Sequence, residues 1–99
     1  MGKKVKLKDA KLRLRLDIEN DLSRKYIADT IKELSHIMYP NLSGSFEQME
    51  RFHQKRKNYR LQLLSYANKL LKKRGKRSIL QDEVLTYRDW IEERQSEDK

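Results

Sequence analysis

Residues 51–81 carry eleven lysines and arginines and no acid. Arg51, Lys55, Arg56, Lys57 and Arg60 form one group; Lys69, Lys72, Lys73, Arg74, Lys76 and Arg77 form a second. The chain as a whole holds 24 basic and 15 acidic residues, for a net charge of +9 over 99 residues. Acids are therefore common elsewhere, and their absence here is local. Cations on one element without i,i+4 acids repel one another. Such a run suits a polyanion, because each Lys or Arg that meets a phosphate releases a condensed counterion. Nucleic acid is the first reading. A solvated lysine-rich face, an anionic membrane surface and an acidic protein partner are the others. A further basic group, Lys11, Arg13 and Arg15, alternates with leucines near the start of the chain.

Other chemistry finds little material. There is no cysteine, hence no disulfide, thiolate zinc site or cysteine nucleophile. His36 and His53 fall on different predicted helices with few acids near them, an arrangement expected of partly buried or surface histidines rather than of a metal site. The three glycines, Gly2, Gly44 and Gly75, make no phosphate loop. Ser43 and Ser45 beside Gly44 suit turn and cap duty. The acids of 82–98 lack the paired, enclosed setting of acid–base catalysis. No enzyme activity, metal, cofactor or small-molecule substrate is expected. No apolar run reaches the length of a membrane span, and the basic first residues lack the apolar block of a secretory signal. An intracellular protein is expected.

The elements that position these residues follow from periodicity. Residues 1–16 read as a basic tail or a short strand, since Leu12, Leu14, Leu16 and Ile18 alternate with Lys11, Arg13 and Arg15. No second alternating run is present to pair with them. From about Ile18 to Met38 apolar residues recur every three or four positions, a helix that ends at Pro40. Ser45, with Gln48 three residues on and Glu47 between, predicts the start of a long helix. Gly75 predicts its left-handed end. Phe46, Met49, Phe52, Tyr59, Leu63, Tyr66, Ala67, Leu70 and Leu71 line its apolar side, broken by charge at 55–57. Tyr59 and Tyr66 are expected to pack rather than to stack on bases. Ser78 predicts the N-cap of a final helix running to about Arg94, with Ile79, Leu80, Val84, Tyr87, Ile91 and Trp90 on its apolar stripe. Residues 17–95 thus form one helical domain, and 96–99 fray. With 36% hydrophobic residues the core is thin, and the stripe of the long helix is expected to need a second subunit.

The stretch from Ala67 to Val84, with Lys69-Leu70, basic residues, Gly75, Lys76-Arg77, Ser78-Ile79 and Asp82-Glu83, resembles the junction between the central and last helices of the histone fold. Moderate helix, long helix and short helix repeat that family's layout over roughly 27–94, with Ile27 to Lys32 in the first helix. The resemblance implies an all-α, histone-fold-like subunit that pairs with a histone-fold partner chain or a second copy. It implies that Lys76, Arg77 and Ser78 lie at DNA phosphates, in a chromatin-type or transcription-regulatory assembly, nuclear or nucleoid-associated. Lys55 and Arg56 depart from the family, which usually keeps apolar residues there. The alternating N-terminal segment resembles instead the start of ribbon-helix-helix repressors, which implies base reading by Lys11, Arg13 and Arg15. A helical protein-interaction adaptor or inhibitor without any DNA role is the third reading.

Overall fold

A computed structural model describes residues 6–40 and 45–84. These form four helices and, among the described residues, no strand: α1 (Leu7–Glu19), α2 (Arg24–Met38), α3 (Phe46–Lys73) and α4 (Gln81–Val84). The described residues are all-α, as expected. The expected ends of the tail, of the first loop and of the last helix, with Gly44, Tyr87, Trp90, Ile91 and Arg94, lie outside the described residues.

The alternating segment is a helix, which corrects both the tail and the strand expectation for residues 7–16. Leu, Lys, Arg and Ala are strong helix formers, and the segment has no β-branched residue before Ile18. Ala10, Leu14 and Ile18, spaced by four, are buried against the core. Leu12 and Leu16, on the opposite side, stay half exposed. Alternating leucines on a helix necessarily face both ways, and one pair of them found the interior. The ribbon-helix-helix arrangement, which needs a strand here, is overturned by the same observation.

A second difference lies between Asn20 and Ser23, where one helix was expected and two are found. Asp21 adopts the left-handed conformation, φ 57°. Its N–H donates to the Ile18 carbonyl at 3.1 Å, and that of Leu22 to Asp17 at 3.1 Å, a pattern that closes helix ends. Ser23 then caps α2, its hydroxyl accepting from the Tyr26 N–H at 3.1 Å. The long helix begins and ends where its signals place it. Ser45 accepts from the Gln48 N–H at 3.3 Å, and Gly75, φ 69°, closes α3 with N–H bonds from Gly75 to Lys72 and from Lys76 to Leu71.

Ser78 does not cap the last helix. It is exposed, and α4 starts at Gln81, where Glu83 reaches back to accept the Leu80 N–H at 2.7 Å. The loop before it is held instead by Asn68. This amide accepts from the Ile79 N–H at 2.8 Å and donates to the Ile79 carbonyl at 3.0 Å, and Ile79 is buried.

Both α1 and α2 pack on α3. Leu63, Leu64, Ala67 and Leu71 of α3 meet Leu14 and Ile18 of α1 and Ile27, Ile31 and Leu34 of α2 in one core. Tyr39 packs edge-on against Phe52 and Tyr59, at 5.8 and 5.9 Å between ring centres. The apolar stripe of the long helix is thus covered within the chain from Tyr59 to Leu71, whereas Phe46 at its start is 76% exposed.

Candidate nucleic-acid interface

The inward and outward sides of α3 divide the basic residues. Leu63, Ala67 and Leu71 set the inward side, and residues at the same helical phase follow them in. Arg56 and Arg60, expected at the surface, are therefore buried, at 5% and 0% exposure. This corrects their assignment as phosphate contacts. Arg56 donates to the Tyr39 carbonyl at 3.1 Å and lies 3.1 Å from His36 Nδ1 and 3.5 Å from His53 Nδ1. A guanidinium only donates, so in this contact the His36 nitrogen serves as the acceptor. Arg60 is likewise engaged rather than free. Both cations serve the interior, where an enclosed charge needs partners.

Eight of the eleven remain exposed: Arg51, Lys55, Lys69, Lys72, Lys73, Arg74, Lys76 and Arg77. Lys57 is half buried. Six of the eight gather where α3 ends and the loop begins. The left-handed turn at Gly75 keeps them together, because it reverses the chain directly after Arg74. Ser78 is exposed beside them. The N-terminus of α2 comes to the same place: a cleft of about 390 Å³ is lined by Asp21, Ser23, Arg24, Lys76 and Arg77 among others. Lys25, exposed in the first turn of α2, adds charge there, whereas Arg24 is engaged by Glu83 at 3.1 Å.

Besides Glu83 on Arg24, a second acid enters this region. Asp21 takes a hydrogen bond from Lys76 Nζ and lies 4.0 Å from Arg74. The Lys76 hydrogen bond, then its charge, and more weakly Arg74, hold the Asp21 carboxyl below its ordinary 3.8. The left-handed ends of α1 and α3 are thereby tied to each other through side chains.

The N-terminal group divides. Lys11 lies over the Tyr66 ring, 5.2 Å from its centre, and so borders the outer side of α3. Arg13 is exposed, and Arg15, also exposed, is 3.5 Å from Glu19 one turn on. On a helix these three no longer share one face, so they form no common reading surface. Tyr59 is buried and Tyr66 half buried under Lys11, in keeping with packing.

Lys69, Lys25, Asp21 and Asn68 belong to this region but were not among the expected contacts. Lys69 was detectable, since it precedes Lys72 and Lys73 at helical spacing in the acid-free run. Asp21 was not, because it meets Lys76 across 55 residues of chain. Among the described residues no group of three or more His, Cys, Asp or Glu could hold a metal, and no helix is long and apolar enough to cross a membrane. Comparison with protein-family models, with curated proteins and with solved structures finds no match.

Proposed function

We propose that this chain is a small DNA-binding protein that holds duplex DNA by its phosphates. The observation that carries this reading is the exposed cluster Lys69, Lys72, Lys73, Arg74, Lys76 and Arg77, with Asp21 as the acid in contact with it. Backbone contacts position a protein on a duplex without reading its sequence, so this cluster supplies affinity rather than choice of site. A histone-fold-like subunit of a chromatin-type or transcription-regulatory assembly is the finer form of the proposal. It draws support from the order of moderate, long and short helices from residue 24 onward. Helix α1 packs on α3 within the chain, and a partner chain or second copy would dock through exposed Leu12 and Leu16.

The test is a salt titration. Engagement of six or more phosphates loses about three decades of affinity between about 50 and 200 mM salt. Replacing Lys76 and Arg77 by Ala weakens every duplex alike and lowers the slope of log affinity against log salt by about 2. A folded chain that binds no duplex at low salt but binds one acidic protein tightly would instead establish the adaptor reading.

A further inference from the structure

The side of α3 that faces solvent has a composition of its own. From Arg51 to Lys73 its exposed residues are Arg51, Gln54, Lys55, Asn58, Gln62 and Ser65, followed by Lys69, Lys72 and Lys73. At about 100° per residue all nine fall within a sector roughly 100° wide; none is acidic, and exposed Glu47 stands in the same sector one turn before Arg51. Along the axis cations stand at both ends, and the middle holds two glutamines, an asparagine and a serine, with Lys55 set between Gln54 and Asn58.

We infer that this face of α3 enters the major groove of duplex DNA, with Gln54, Asn58 and Gln62 reading base edges while the cations at either end hold phosphates. The inference rests on the proposed DNA binding and adds sequence choice to it. The dimensions agree. Arg51 to Lys73 spans about 33 Å at 1.5 Å per residue, and a major groove about 12 Å wide admits a helix. A straight helix can follow the curving groove only over its middle turns. Gln54 to Gln62 covers about 12 Å, the height of three to four base pairs at ~3.4 Å each. Beyond that stretch the helix ends diverge toward the backbones, where Arg51 meets one and Lys69, Lys72 and Lys73 the other, while Lys55 lies within the stretch beside Gln54.

The chemistry agrees as well. A carboxamide offers one donor and one acceptor side by side, matching N7 and the N6 amino group of adenine. Gln54 Nε2 donates to Asn58 Oδ1 at 3.3 Å, so two of the three amides are already ordered one turn apart. Amides between cations also bring no negative charge toward phosphates. The occupant is therefore B-form duplex DNA. The major groove of A-form RNA is too deep and narrow for side chains to read.

The experiment selects from a pool of duplexes with a randomised centre, using the full chain, and repeats the selection with Asn58→Ala and Gln62→Ala. Both sites are exposed and Ala favours helix more than either amide, so the variants fold; circular dichroism checks this. Wild type enriches an adenine-containing core of three to four base pairs. Each variant loses the preference at one position, by roughly five-fold or more, while affinity for random duplex stays within about two-fold. Duplex RNA of the enriched sequence is bound without preference. Binding without enrichment, or an enrichment that survives both substitutions, overturns the base reading and leaves the phosphate reading in place. Failure to bind any duplex at low salt overturns the phosphate reading and this inference with it.

Discussion

Arg56 and Arg51 are the same residue type on one helix, yet one lies inside the molecule and the other faces solvent. The difference is helical phase, and a residue's own chemistry does not contain it. Asp21 shows the same point from the acid side. It occupies a left-handed position that Asp and Asn tolerate alike, so Asp21→Asn removes charge without changing the backbone preference. Because Lys76 and Arg74 are then free for phosphate, affinity for any duplex rises by roughly a few-fold at low salt, read by fluorescence anisotropy. The stability effect has a definite pH window. The folded carboxyl titrates below its ordinary 3.8, so its contribution is complete above about that pH and disappears as pH falls through the lowered value. Denaturant melts of wild type and variant therefore differ by a constant amount from neutral pH to about 4 and converge below it. A gap that persists at the acid end would assign the effect to something other than this ionisation.

At the scale of elements, α3 was legible from its caps and α1 was not legible from its pattern. Ser45, Gln48 and Gly75 act locally: a hydroxyl satisfies an open N–H, and glycine accepts a positive φ. Neither requires knowledge of a neighbour, so both ends of α3 fall where the residues place them. The run KLRLRLDI carries two periods at once, and which one wins depends on what is available to pack against. With no strand to pair with among the described residues, α1 buries Ala10, Leu14 and Ile18 on α2 and α3. A strand would treat Leu12 and Leu14 alike; the helix does not. Leu14→Ala should destabilise by about 2–5 kcal/mol, the cost of a core truncation, and Leu12→Ala by no more than about 0.5 kcal/mol. Equal losses in urea melts would refute the helical placement. The last helix illustrates the limit of cap signals: Ser78 has the right type, but both backbone polar groups of Ile79 are bonded to the Asn68 amide, and the helix starts at Gln81.

At the scale of the molecule, the surviving surface charge has two consequences of opposite sign. Alone, eight exposed cations from the central run, with a net charge of +9 overall, repel one another. Added salt screens that repulsion, so the melting temperature of the free protein rises between about 20 and 300 mM salt. In the presence of duplex DNA at about a hundred times its dissociation constant, binding contributes ~2.7 kcal/mol to the folded state, and salt removes it. The melting temperature then falls with salt until the two curves meet. Parallel curves with and without DNA would show that the surface engages no phosphate.

The amino-acid sequence alone determined the helical character of the chain, the span of the long helix and the concentration of cations around its C-terminal end. These follow from short-range causes: propensity, caps, and charges close together along the chain. Tertiary packing decided which cations remain at the surface, that α1 is a helix, and that Asp21 meets Lys76. Each of these depends on which side of a helix the core claims, and that is settled only when α1 and α2 close on α3.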